Sequence, residues 1–300
     1  MRKGSGLVAC GLLLAAGLWA QAALAEVIHV RLIGSNQTDN PLLHYRQALL
    51  ESAIRAAGHT PDVQFCSLPE GVTSDRRAAT EVGLGTRCNM LATSIGAPFS
   101  SQLDLIPVPL YLGGGGYRVL LRAEQDAALD GITSKEALAS LRVGGGTTWV
   151  DSDIYRANGL RVVTSEYPNL FPMLKAGRFD VLPRAIFEVL PEVDHFGPGL
   201  VIDNRLLLHY PSDLFFYGSP ENKRTNEIVA AGLDIMYHNG SFQALLRSHD
   251  STRLALQQLD LPARIVITLE NPYLSEEQQE ILRRYRPEWQ DPFPATQAAQ

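Results

Sequence analysis

From residue 27 onward, apolar and polar positions follow two periods. Val27, Ile28, Val30, Leu32 and Ile33 crowd into seven residues rich in β-branched side chains, which predicts a strand over Val27–Ile33 ending at Gly34. Leu42, Leu49, Leu50, Ala53, Ile54 and Ala57 then recur at the three-and-four spacing of one helix face. Asn40 can cap that helix, Pro41 suits its first position and Gly58 its stop. A strand over residues 63–66, a helix over 75–82 and a strand over 89–95 follow. Strands alternating with helices predict a parallel sheet in an α/β layer structure.

Gly113-Gly114-Gly115-Gly116 interrupts this pattern and leads directly into an apolar strand over residues 117–121, so a crossing between two units is expected there. The alternation then restarts. Thr133-Ser134-Lys135-Glu136 reads as a capping box opening a short helix, and residues 141–143 as a strand running into Gly144-Gly145-Gly146-Thr147-Thr148. Further strands are expected at 160–163, 179–182 and 214–217. Helices are expected at 170–176, stopped by Gly177, and at 220–238, stopped by Asn239-Gly240. Residues 292–300 read as a mobile tail.

The N-terminus supplies a compartment. Arg2 and Lys3 precede an apolar run over residues 7–20, and Ala23-Leu24-Ala25 is a small-x-small cleavage site, so residues 1–25 read as a signal peptide cleaved after Ala25. Leu7-Val8-Ala9-Cys10 looks like a lipoprotein box, but it sits near the start of the apolar run, which favours soluble export over a lipid anchor. No later stretch reaches the ~20 apolar residues of a membrane span. With 45% apolar and 19% charged residues the chain has the composition of a globular protein, large enough for one large or two medium domains. Its 26 basic residues against 32 acidic ones give no footprint for nucleic acid. Past the leader, Cys66 and Cys88 remain. They could form a disulfide in an oxidising compartment or stay as two buried thiols, because strands that are not neighbours would hold them ~9–10 Å apart.

Motifs for nucleotide phosphates, zinc, thiol redox chemistry and serine hydrolysis are all missing, and the seven histidines lack metal-ligand spacing. No metal, cofactor or catalytic set is expected. Two α/β units joined through glycines in an exported, acidic chain suit a two-lobed binding protein with its ligand between the lobes. More specific are Leu174-Lys175-Ala176-Gly177-Arg178-Phe179-Asp180, Ile228-Val229-Ala230-Ala231-Gly232-Leu233 and Asn239-Gly240-Ser241-Phe242. They occur in order with Pro109-Leu110-Tyr111 and Gly146-Thr147-Thr148. On these the mature chain resembles the bacterial extracellular solute-binding proteins of family 3, the type II periplasmic binding proteins of amino-acid transport. The resemblance implies two lobes, each a mostly parallel sheet flanked by helices. The first lobe would comprise residues 26–114 and 213–291, and the second 115–212. It also implies a monomeric periplasmic protein that hands a small-molecule solute to the membrane permease of an ABC-type transporter, or to a membrane sensor protein.

Two departures from the family bear on the ligand. Amino-acid binders of the family carry an arginine after the third strand, where this chain has Gly96-Ala97-Pro98-Phe99-Ser100. An acid often follows the strand near Leu182, where this chain has Pro183-Arg184. A polar, anionic solute is therefore expected instead of an ordinary α-amino acid, with Arg184 just beyond a strand end as its charged anchor. The alternative for Arg184 is an ion pair with Glu188 four residues on, worth ~0.3–0.5 kcal/mol if exposed. Thr147 and Thr148 would add donors at a helix N-terminus, or merely form a turn. Ser35 and Asn36 after the first strand, and Thr93 and Ser94 at the end of the third, are small polar residues at strand ends that could touch a ligand or simply begin loops. Tyr111 and Trp149 are candidate pocket walls, or could instead pack between lobe elements, and Glu188, Asp151 and Asp153 are the acids expected near the cleft, or else solvated helix-end residues. A dehydratase-like enzyme on the same fold is the catalytic alternative, and would need one of those acids as general acid.

Overall fold

The computed structural model describes residues 25–34, 41–68 and 75–285. Ser35, Asn36, the cap Asn40, the leader up to Leu24 and the tail over 292–300 lie outside the described residues. The first half holds β1 (Val27–Ile33), α1 (Pro41–Ala56), β2 (Thr60–Cys66), α2 (Asp75–Leu84), β3 (Met90–Ser94) and β4 (Asp104–Leu105). The middle holds β5 (Tyr117–Ala123), α3 (Lys135–Leu138), β6 (Arg142–Gly146), α4 (Val150–Ala157), β7 (Arg161–Ser165), α5 (Tyr167–Lys175), β8 (Leu182–Ala185), α6 (Val189–Phe196), β9 (Leu200–Ile202) and β10 (Leu206–His209). The chain continues with β11 (Leu214–Gly218), α7 (Lys223–His238), α8 (Ser241–Ser248), α9 (Asp250–Gln258), β12 (Ile265–Thr268) and α10 (Glu276–Arg284).

One sheet runs β2-β1-β3-β11-β4. β1 lies parallel to β2, with Val27 opposite Thr60 and Ile33 opposite Cys66, while β11 runs antiparallel to β3. Ile28, Val30 and Leu32 are buried at every second position of β1, and α1 buries Leu49, Leu50, Ala53 and Ile54 on the face its spacing marked out. The second sheet runs β12-β10-β5-β8, with β9 also paired to β5, and β6 and β7 form a separate parallel pair. β5 serves two apolar clusters, because alternate residues point to opposite faces. Val119 and Leu121 join the large core that reaches Phe216 and Leu49, and Leu120 joins a smaller one with Leu206 and Leu208.

Four details depart from the sequence reading. The second sheet is mostly antiparallel and not mostly parallel: β5 runs against β8, β9 and β10, and only β12 lies parallel to its neighbour. The stretch after Asp213 does not stay with the first sheet: β12 pairs parallel with β10, Leu206 opposite Ile265, so the chain returns to the second sheet before α10. The strand expected at 179–182 begins at Leu182, since residue 181 only bridges to Val143 and the chain then turns onto β5. The short helix α3 is capped by Ser134, whose hydroxyl accepts from the Ala137 N–H, one residue later than expected. The choice left open for the cysteines is also decided. Cys66 and Cys88 are bridged with Cα atoms 5.8 Å apart, because Cys88 precedes β3 and is not held at strand spacing.

The glycine run is a close crossing. A Cβ on Gly115 would lie 2.7 Å from the Asp213 carboxylate, and one on Gly116 would collide with the Tyr210 carbonyl of the returning chain. Asp213 is fully buried and accepts the N–H groups of Gly113 (2.7 Å), Leu214 (2.7 Å), Tyr111 (3.2 Å) and Gly115 (3.4 Å). One carboxylate thus ties both crossings together.

Candidate functional site

The two sheets meet at an aromatic seam above that carboxylate. Tyr111, between β4 and the glycine run, stacks on Phe187 just after β8, with ring centroids 4.8 Å apart and planes 23° from parallel. Tyr45 of α1 stacks on the other face of Tyr111 at 5.4 Å, and its hydroxyl donates to the Leu110 carbonyl at 2.7 Å. All three rings are buried. Next to Tyr45 on the helix, Arg46 has its Nε buried, and neither that nitrogen nor the buried Tyr111 hydroxyl makes a hydrogen bond of ordinary geometry among the described residues. Burial raises the pKa of the Tyr111 hydroxyl, and the nearby charge of Arg46 pulls against it.

Beyond Phe187 the charges are paired. Arg184 is not past a strand end but inside β8, opposite Val119, because that strand is the partner of β5. Its Nε donates to Glu192 of α6 at 2.7 Å, and its Nη2 donates to Glu192 at 2.5 Å and to Glu188 at 2.7 Å. The guanidinium lies 4.5 Å from the ring centre of Trp149 and 5.7 Å from that of Tyr167, whose hydroxyl donates to Glu192 at 2.9 Å. Burial drives the Glu192 pKa up, with Arg184 opposing. A second cluster sits at the base of β5. Arg118 donates through Nε (2.9 Å) and Nη2 (2.8 Å) to Asp151 at the start of α4, which also accepts from the Tyr210 hydroxyl. Burial disfavours the charge on Asp151, yet Arg118 and Tyr210 hold its pKa below the usual value.

The candidates are thus only partly brought together. Trp149, the residue before α4, lies under Arg184, and Tyr111 reaches the same seam from the other sheet. Thr147 and Thr148 are exposed beside Trp149. Thr93 and Ser94 are half-buried in β3 opposite Phe215 and Leu214, with no contact to Arg184 or Phe187 among the described interactions. Asp153 is exposed and pairs with Arg156 at 2.7 Å. Tyr45, Arg46, Arg118, Phe187, Glu192 and Asp213 were not singled out from the sequence. Two carried a signal: Arg118 interrupts an apolar strand, and Asp213 sits immediately before one. Among the described residues no group of His, Cys, Asp and Glu could hold a metal ion.

No protein-family model and no curated protein matches this chain. Solved structures do. A histidine kinase sensor domain with similarity to periplasmic binding proteins aligns over 74% of this chain and 96% of its own, at 13% identity and a TM-score of 0.50. An amino acid ABC transporter substrate-binding protein from Streptococcus pneumoniae bound to L-arginine aligns over 78% and 97%, at 16% identity and a TM-score of 0.49. An ancestral arginine-binding protein bound to arginine aligns over 69% and 87%, at 14% identity and 0.48. Such identities speak for the fold alone, and on the sensor domain's alignment this chain has the two-lobed α/β fold of the periplasmic binding proteins, as its resemblance to solute-binding family 3 implied.

Proposed function

We propose that this protein captures a small polar solute with an anionic group between its lobes, in the periplasm, and presents it to a membrane partner. The observation that carries the reading is the seam itself. Tyr111 from one lobe and Phe187 from the other form a shared apolar wall, and next to it the buried Arg46 Nε and Tyr111 hydroxyl make no hydrogen bond of ordinary geometry among the described residues. Sites of this kind combine apolar lining with a few polar groups that fix a ligand's orientation. The proposed first lobe is the sheet of β1–β4 and β11 with its helices. The second is the remaining sheet, including β12, and hinge motion of the glycine crossing opens the cleft. Glu188, Glu192 and Asp151 are each bound to an arginine, and Asp213 beneath the seam is enclosed by four backbone N–H groups, which supports binding over acid catalysis.

A permease of the ABC type is the proposed partner. A membrane sensor protein is the second reading, favoured by the likeness to a kinase sensor domain. The test is a thermal-shift screen of polar metabolites on the mature, monomeric chain beginning at Glu26. A solute at 100 times its dissociation constant should stabilise the fold by about 2.7 kcal/mol. If no metabolite at millimolar concentration moves the unfolding midpoint, the solute-binding reading is lost.

A further inference from the structure

Three arginines stand near the seam, and the structure leaves one of them without an acidic partner. Arg118 uses Nε and Nη2 on Asp151, and Nη1 on the carbonyls of Gly115 (2.5 Å) and Tyr117 (3.0 Å). Arg184 uses Nε and Nη2 on Glu192 and Glu188. Arg46 forms no ion pair among the described residues, and its buried Nε finds no acceptor. Close by, the buried hydroxyl of Tyr111 makes no hydrogen bond of ordinary geometry among the described residues, and Arg46 lies near enough to favour its ionised form. Buried donors without acceptors are rare in folded proteins and need a reason.

We infer that Arg46 and the Tyr111 hydroxyl together form the anchor for the anionic group of the solute, a carboxylate or another small oxyanion. The inference rests on the proposed binding function and moves its charged contact from Arg184 in the second lobe to α1 in the first. A guanidinium and a hydroxyl lying close to one another match the two-oxygen face of such an anion, which bidentate recognition by a guanidinium favours. The stacked, buried rings of Tyr45, Tyr111 and Phe187 make the surroundings of the Tyr111 hydroxyl apolar, which strengthens the attraction. Glu188 would repel an anion on the far side of Phe187, but its charge is matched by Arg184 at 2.7 Å. The missing arginine after β3 leaves the first lobe with no cation at Gly96-Ala97-Pro98, and Arg46 supplies one from a different element.

The mature chain should be titrated by calorimetry with acetate, succinate, 2-oxoglutarate, phosphate and sulfate, with succinamide as the uncharged control. At least one anion should bind, and succinamide should not. Arg46→Gln should weaken that anion at least tenfold, Tyr111→Phe by several-fold, and Arg46→Lys less than Arg46→Gln. Arg253→Gln, a surface arginine paired with Asp250, should leave binding unchanged. Unfolding midpoints of the unliganded variants separate lost binding from lost folding, and Tyr111→Phe removes one hydroxyl without emptying the stack. Equal affinity in Arg46→Gln and wild type would overturn the inference, as would succinamide binding as well as succinate. If none of the anions binds while the metabolite screen yields an uncharged or cationic solute, this inference fails and the solute-binding reading stands. If the screen also yields nothing, both fail.

Discussion

The two sides of the aromatic seam treat their arginines in opposite ways. Beyond Phe187, Arg184 is held by two carboxylates and two aromatic rings, and Arg118 by a carboxylate and two carbonyls. Beside Tyr111, the buried Nε of Arg46 has no acceptor and Arg46 has no acidic partner among the described residues. A buried charge whose partners come from its own fold is part of the architecture, and removing one partner exposes the cost of burying the other. A buried donor with no partner costs the fold its desolvation, which is the ground on which Arg46 is proposed to meet a ligand. The difference separates a scaffold side of the seam from a receptive side.

The largest expected effect falls on the scaffold side. Glu192→Ala strips Arg184 of its most buried acceptor and should cost about 3–5 kcal/mol in denaturant unfolding, most of it recovered when Arg184 and Glu192 are both replaced by leucine. A loss below about 1 kcal/mol would mean that Arg184 is well solvated and that the two sides do not differ.

Asp213, under the seam, extends the comparison through pH. Burial pushes its pKa up to about 7, although the N–H groups of Gly113, Leu214, Gly115 and Tyr111 pull it down. Between roughly pH 4 and pH 7 the folded chain therefore keeps a proton that the unfolded chain has lost. The stability Asp213 contributes is full below about pH 4 and is lost as pH rises through about 7. Asp213→Asn cannot ionise, so the stability of wild type relative to this variant should fall by on the order of 3 kcal/mol across that window. Parallel stability curves would show that the hinge carboxylate is not held neutral.

The sequence made the receptive lobe's framework far more legible than the site within it. β1 alternates buried and less buried positions and α1 buries the face that its spacing marks out, so local pattern and tertiary packing agree there. The second lobe hides its elements. α6 is short with Pro191 in its first turn, β9 and β10 are three- and four-residue strands, and the place of β12 depends on pairing with a strand nearly sixty residues away. Glu188 as a partner of Arg184 could be read from spacing, whereas Glu192 depends on how α6 leaves β8. Arg46 carried no signal, because a charged residue on an amphipathic helix is ordinarily solvated. Only the fold shows that its Nε is enclosed.

The central claim is that the solute lies against the seam that Tyr111 and Phe187 form. The direct measurement is calorimetric titration of the tightest solute from the screen into wild type, Tyr111→Ala and Phe187→Ala, the two rings coming from opposite lobes. Each substitution should weaken binding at least tenfold, about 1.4 kcal/mol, while the unliganded variants stay folded. Wild-type affinity in both variants would place the solute elsewhere and contradict the account.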